Sequence, residues 1–147
     1  MDGRDDRGPR VIAALLAASL TVPPPAGTDV RRILDTIQAV ETGGERDPDA
    51  AIGDGGKALG AYQVWRVYWV DACEYDLTLR ARGYQAVTDR EYAERVVIAY
   101  LSRYARDWSI DTIARIHNGG PAGATKRRKA TNDYAAKAAK EWQRCDT

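Results

Sequence analysis

An amphipathic helical pattern that stops at a glycine-rich segment limits the folds open to this chain. The apolar residues on one helix face follow the i, i+3, i+4, i+7 spacing, and they are Val30, Ile33, Leu34, Ile37 and Val40. Thr28 or Asp29 can cap this helix, which we expect to end at Glu41. Residues 42–60 then hold six of the thirteen glycines and no helical period, which predicts a loop with room for a short hairpin.

The next segments also have helical patterns. Residues 61–71 are aromatic and aliphatic at too high a density for one amphipathic face, which predicts a mostly buried helix. Thr88 and Glu91 match a capping box at the start of a helix that should run to about Tyr104. Residues 111–117 predict a shorter helix, which the Gly-Gly-Pro sequence close behind it should end.

The last helix is predicted to start at Asn132 or Asp133 and to extend to about Trp142. The sequence contains no alternating strand pattern of any length and no internal repeat. At 147 residues the chain has room for one ordinary domain. We therefore predict a mainly α fold with a small loop or hairpin insert.

The N-terminal residues are typical of an export signal. Three arginines and three aspartates in residues 1–10 precede the apolar run 11–22, which is shorter than the roughly 20 residues of a membrane-spanning helix. Small residues and prolines follow at 23–27. We expect residues 1–27 to form a signal peptide and Pro-rich stretch, residues 28–147 to form the domain, and the mature protein to be secreted or periplasmic. The aspartates leave a retained anchor or a first core helix as alternatives.

Two cysteines are too few for a four-thiolate zinc site or a disulfide framework. In an oxidising compartment, Cys73 and Cys145 can form one bridge between the C-terminal helix and the middle of the domain. If their atoms lie too far apart, both remain thiols.

The charge of the chain is nearly balanced at +1, but residues 126–129, Lys-Arg-Arg-Lys, form a local basic run. Such a patch can attract an anionic polymer, and a solvated loop explains it equally well. Nucleic acid is disfavoured as a partner, because no helix-turn-helix, zinc or aromatic platform signature accompanies the run.

Two acidic residues have the placement that glycosidic cleavage needs. One acid must hold its proton and the other must be ionised, which an apolar setting and a polar, hydrogen-bonded loop favour respectively. Glu41 at the end of the apolar helix fits the first role, and Asp54 among glycines fits the second. A helix-end glutamate and a turn aspartate are also common for structural reasons alone.

Three stretches of the chain resemble one protein family. They are Val-Glu-Thr-Gly-Gly at 40–44, Gly-Ala-Tyr-Gln-Val at 60–64 with Val-Tyr-Trp-Val-Asp-Ala at 67–72, and Ala-Arg-Ile-His-Asn-Gly-Gly-Pro at 114–121. From about residue 40 to residue 142 the chain is similar to invertebrate-type lysozymes, within the lysozyme-like and lytic transglycosylase superfamily. The resemblance implies an α+β lysozyme-like domain whose Gly-rich loop or hairpin lies beside an active-site cleft.

The resemblance also implies roles for individual residues. In the family the glutamate of the first stretch is the general acid, which maps onto Glu41, and Gln63 falls in a stretch that lines the cleft. His117 and Asn118 occupy the place of a Tyr-Asn pair that supports the glutamate and contacts substrate in transglycosylase relatives. Without the motif, we would interpret His117 and Asn118 as ordinary helix-end residues.

The chain departs from the family at two points. Counted back from Gly60 without a gap, the catalytic aspartate of the family falls on Gly53, so Asp54 is displaced by one position. Many disulfides stabilise the animal members of the family, whereas this chain has two cysteines. Here we expect buried aromatic side chains to provide the missing stabilisation. We expect some of those aromatics to stack on sugars in the cleft, with Tyr62, Tyr68, Trp69 and Tyr134 as candidates. A core role suits Trp69 better.

The resemblance implies a muramidase that hydrolyses the glycosidic bonds of peptidoglycan glycan strands with retention. Glu41 would protonate the glycosidic oxygen, and Asp54 would attack the sugar or stabilise the oxocarbenium-like transition state. If Asp54 is out of reach, a lytic transglycosylase that leaves anhydro ends is the alternative. An inactive glycan-binding module is a third interpretation, against which the intact Glu41 argues.

The same interpretation sets expectations for cofactors and partners. We expect no cofactor and no metal, and peptidoglycan glycan strands as the partner. We expect no nucleic acid, no stable membrane insertion after signal removal, and a monomer.

Overall fold

The computed structural model describes residues 21–145. Within that range the chain forms five α-helices and a small three-stranded sheet. The helices are α1 (Val30–Thr42), α2 (Arg66–Tyr75), α3 (Arg90–Tyr104), α4 (Ile110–Gly119) and α5 (Asn132–Arg144). The strands are β1 (Ile52–Gly53), β2 (Ala58–Leu59) and β3 (Val64–Trp65). Short 3₁₀ turns lie at Pro48–Ala50, Asp54–Gly56, Leu77–Arg82, Tyr84–Thr88 and Lys129–Thr131. The predicted mainly α, lysozyme-like fold class is confirmed.

Helix α1 forms where its apolar spacing predicts. The Asp29 side chain accepts a hydrogen bond from the Arg32 backbone N–H at 3.0 Å and so caps the first turn. The helix extends one residue past Glu41, and Thr42 fixes its end, because the Thr42 hydroxyl donates to the Ala61 carbonyl at 2.8 Å. This contact holds the end of α1 against the turn that follows Leu59 and precedes Val64 in the sheet.

The glycine-rich segment forms an antiparallel sheet in the order β1-β2-β3. Ile52 pairs with Leu59, and Ala58 pairs with Trp65, so β2 is the central strand, and both of its residues are buried. The short hairpin that the sequence allowed in this segment is therefore present. The left-handed backbone of Gln63, with φ of 50°, turns the chain from β2 into β3.

Two predictions about helix starts are wrong. The helix predicted over 61–71 begins only at Arg66, because the residues before it pair in the sheet, and Val67 is 71 % exposed instead of buried. Helix α3 begins after Asp89, whose side chain accepts from the Tyr92 N–H at 2.9 Å, so Thr88 does not cap it. Thr88 closes the preceding 3₁₀ turn.

The core forms where α2 packs on α3, while α5 packs on α1 and α4. Buried aliphatic and aromatic side chains from α1, the sheet and α3 fill it, among them Ile33, Ile37, Tyr62, Val96 and Leu101. The helices therefore hold the end of α1, the sheet and the end of α4 in fixed positions around one side of the domain.

The predicted disulfide is wrong for this structure, since Cys73 and Cys145 are both free. Cys73 is 2 % exposed in the core next to α3. Cys145 is exposed at the end of α5, a helix that packs on α1 and α4. The bridge fails because the C-terminal helix packs on a different part of the domain.

The predicted export signal lies mostly in residues 1–20, outside the described part of the chain. The described chain begins with a Pro-rich stretch in which the Val22 backbone N–H donates to the Tyr75 hydroxyl at 2.7 Å. Over residues 21–145, none of the helices has the length and apolar character needed to cross a membrane.

Candidate active site

A cleft of about 510 Å³ opens between the end of α1, the sheet, α2 and the end of α4. It brings together six of the residues predicted from the sequence: Glu41, Asp54, Gln63, Tyr68, His117 and Asn118. Segments far apart in the chain supply them, so their convergence comes from tertiary packing: α5 packs on both α1 and α4, and Tyr68 of α2 bonds to His117 of α4. A cavity of this size can take one or more sugar rings.

Glu41 lies at the closed side of the cleft, with its side chain 20 % exposed. Its Oε1 atom accepts a hydrogen bond from the Tyr134 hydroxyl at 2.9 Å and lies 3.3 Å from His117 Nε2. Within residues 21–145, no donor contacts Oε2. The Tyr134 hydroxyl therefore holds one carboxyl oxygen, which His117 also approaches, and the other oxygen is left for the cleft.

The hydrogen bonds of His117 determine which of its nitrogens carries hydrogen. Its Nε2 lies 3.2 Å from the Tyr62 carbonyl, which can only accept, so Nε2 carries the hydrogen that it donates to that carbonyl. Its Nδ1 lies 3.0 Å from the Tyr68 hydroxyl and accepts from it when the ring is neutral. Because its side chain is 3 % exposed and both ring nitrogens have partners, the ring is held in one orientation, with Nε2 3.3 Å from Glu41 Oε1.

Both tyrosines that act as donors here remain protonated phenols. Burial raises the pKa of Tyr134 well above its usual range, and the neighbouring Glu41 carboxyl raises that pKa further. Burial also raises the pKa of Tyr68, whose ring stacks on Tyr100 with 3.6 Å between centroids. Neither hydroxyl loses its proton near neutral pH, so both are constant hydrogen-bond donors.

Asp54 reaches the same cleft from the exposed turn after β1, where its φ of 49° places it in the left-handed region. Gly53, one position earlier, packs closely against Gln63. A Cβ atom at residue 53 would collide with Gln63 Oε1. The Gln63 side chain is fixed in turn, because its Nε2 donates to the Gly60 carbonyl at 2.9 Å.

Two of the predicted substrate-binding aromatics do not line the cleft. Tyr62 is fully buried, and its hydroxyl donates to Glu94 at 2.8 Å on the far side, so its part in the site is the carbonyl that orients His117. Tyr134 packs behind Glu41, and its hydroxyl donates a hydrogen bond to that carboxyl group. The structure therefore places neither ring at the surface of the cleft, contrary to the expectation of direct substrate contact.

Trp69 has the core role that the sequence favoured. Its indole N–H donates to the Tyr92 hydroxyl at 2.9 Å, and its ring packs against the main hydrophobic core. Besides Tyr68, the aromatic ring that lines the cleft from this part of the chain is that of Trp65, which is 42 % exposed.

Sequence reasoning missed Trp65, Asp71 and Arg127 as cleft residues. The Asp71 carboxylate accepts from the Tyr104 hydroxyl at 3.1 Å, and Arg127 donates to the Gly119 carbonyl at 2.8 Å. The available signals were indirect: Trp65 directly follows one matched stretch, Asp71 lies within the next, and Arg127 belongs to the basic run. Which side of the fold they face follows only from tertiary packing.

A comparison with protein families gives one finding that bears on this geometry. The family model described as Destabilase matches residues 32–145, which includes every residue of the cleft. No curated protein and no solved structure matches the chain.

Proposed function

Because the chain belongs to the Destabilase family of invertebrate-type, lysozyme-like proteins, we propose that it hydrolyses the glycosidic bonds of peptidoglycan glycan strands. Family membership supports a lysozyme-like, glycan-cleaving kind of function. The substrate, the reaction products and the residue roles are our proposals. We also propose that the protein is exported, since its substrate lies in the cell wall.

The environment of Glu41 is the observation that carries the proposal. The Tyr134 hydroxyl donates to Oε1 and His117 Nε2 lies close to the same atom, so the proton of the neutral acid belongs on Oε2, the oxygen without a donor among the described residues. Oε2 then gives its proton to the glycosidic oxygen, and the bond between that oxygen and the anomeric carbon breaks. The carboxylate left behind keeps the hydrogen bond from Tyr134, which becomes charge-assisted and stabilises it.

Asp54 is our candidate for the second carboxyl group, because it lines the same cleft as Glu41. As the leaving sugar departs, the Asp54 carboxylate either bonds to the anomeric carbon or stabilises its positive charge. A water molecule then replaces Asp54, and Glu41 takes the proton of that water. The exposed Trp65 ring offers an apolar face for a sugar ring during these steps.

A lytic transglycosylase is the second candidate, and the position of Asp54 favours it. Asp54 lies on an exposed turn, one position away from the place of the family's catalytic aspartate. In that reaction Glu41 alone serves as acid and base, and a hydroxyl of the sugar closes an anhydro ring in place of water. An inactive glycan-binding module does not need a glutamate that a tyrosine hydroxyl holds beside a buried histidine.

Digestion of purified peptidoglycan in heavy-oxygen water, followed by mass spectrometry of the released ends, tests the proposal. Hydrolysis places one heavy oxygen atom on each new reducing end. Transglycosylation gives ends that are lighter by one water and contain no heavy oxygen. Anhydro ends would show that the protein is a lytic transglycosylase and not a hydrolase. Strands that stay intact would mean that the cleft is a binding site without catalytic activity.

A further inference from the structure

The basic run at residues 126–129 is divided by the fold. Arg127 lines the cleft, whereas the Arg128 guanidinium pairs with Asp111 at 3.1 Å. Lys126 and Lys129 are exposed and do not line the cleft. One member of the run therefore faces the substrate path, and the others lie outside it.

The segment that carries Arg127 is anchored by a buried cation. Nη1 of Arg115 donates to the Arg128 carbonyl and to Asn132 Oδ1, both at 2.8 Å. Nη1 of Arg127 itself donates to the Gly119 carbonyl at 2.8 Å. These bonds hold the Arg127 guanidinium in one orientation before substrate arrives, which lowers the entropic cost of binding.

Arg127 differs in charge from the other ionisable residues of the cleft. Glu41, Asp54 and Asp71 bring three carboxyl groups to the described lining, and Arg127 brings its one permanent cation. Nε and Nη2 of Arg127 have no partner within the described chain, and together they form the edge of the guanidinium that binds a carboxylate through two parallel hydrogen bonds.

We propose that Arg127 binds a carboxylate of the glycan substrate and thereby sets a preference for acidic over neutral glycans. This inference rests on the proposed function, because it concerns the substrate of the same cleft. In peptidoglycan a carboxylate comes either from the lactyl group of the muramyl sugar or from the attached peptide. Both present the same planar anion to the guanidinium.

Binding to matched glycans tests this directly. We would measure dissociation constants of peptide-free glycan strands, of the same strands with their carboxylates converted to methylamides, and of strands that keep their peptides. The Glu41→Gln protein serves as the background, so that the strands stay intact. We expect methylamidation to weaken binding about three- to tenfold, the range for a partly exposed charge-assisted pair.

Variants of the basic run then distinguish a specific contact of Arg127 with the carboxylate from a general effect of positive charge. In Arg127→Gln, acidic and methylamidated strands should bind equally, whereas Arg127→Lys should keep part of the preference. Lys126→Gln is the matched control, since it removes the same charge from the same run outside the cleft, and it should keep the full preference. If only peptide-bearing strands respond to Arg127→Gln, the carboxylate is that of the peptide.

Two results would overturn the inference. One is an Arg127→Gln protein that weakens binding of acidic and methylamidated strands by the same factor, and the other is a Lys126→Gln protein that loses the preference as fully. Failure of the proposed function gives a different result. In that case the protein with Glu41 intact cleaves none of the strands, while the preference that depends on Arg127 persists in binding.

Discussion

Replacing Tyr134 with phenylalanine removes one hydroxyl and leaves the ring that packs behind Glu41. That hydroxyl donates to Glu41 Oε1 at 2.9 Å, and it stabilises the carboxylate that forms when Glu41 gives up its proton. A hydrogen bond to a charged group contributes about 1.5–3 kcal/mol. Because the charge develops only in the transition state, kcat should fall roughly 10- to 100-fold while KM changes little.

The assay is the initial rate of reducing-end release from glycan strands at several strand concentrations, together with the unfolding temperature. Tyr75→Phe is the matched control, because its hydroxyl bonds to Val22, away from the cleft, and it should leave both kinetic constants unchanged. A Tyr134→Phe protein with unchanged kcat and raised KM would refute the reasoning, since it would make Tyr134 a substrate contact after all.

Three further predictions follow from the same structure. Asp54→Asn should slow cleavage by about 10²- to 10⁴-fold, whereas Asp47→Asn, which keeps a side chain able to cap its 3₁₀ turn, should retain normal initial rates. Titration of the unreduced protein should find two thiols after denaturation but only Cys145 before it, because Cys73 is buried; finding none would restore the disulfide. Burial alone raises the pKa of Glu94, but hydrogen bonds from Arg31 and Tyr62 outweigh it and lower that pKa. Its stabilisation is therefore present above the ordinary value of about 4.5 and lost as pH falls, and urea unfolding of Glu94→Gln should lack that loss.

Features that depend on local spacing could be predicted from the sequence. The apolar period placed α1, and the Gly-Gly-Pro sequence placed the end of α4 within a few residues. Glu41 was found because it ends that period inside a matched stretch. Both Thr88 and Asp89 are acceptable cap residues, so the start of α3 depended on backbone angles that spacing does not reveal.

Features that depend on long-range packing could not be predicted in the same way. Because β3 pairs with β2, helix α2 begins later in the chain than its composition predicts, and Trp65 lines the cleft. The packing of α5 on α1 puts the Tyr134 hydroxyl on Glu41 and leaves Cys145 exposed. Aromatic content alone indicated neither which rings face sugars nor which support the acid.

Glu41→Gln is the most direct test of the account, since glutamine keeps the size of the side chain but has no proton to give. We expect cleavage of peptidoglycan strands to fall by at least roughly 10²- to 10⁴-fold with a nearly unchanged unfolding temperature. Glu45→Gln is the control, because Glu45 is exposed just beyond α1, outside the cleft, and its loss should leave the rate unchanged. A Glu41→Gln protein that still cleaves at the normal rate would contradict both enzymatic mechanisms.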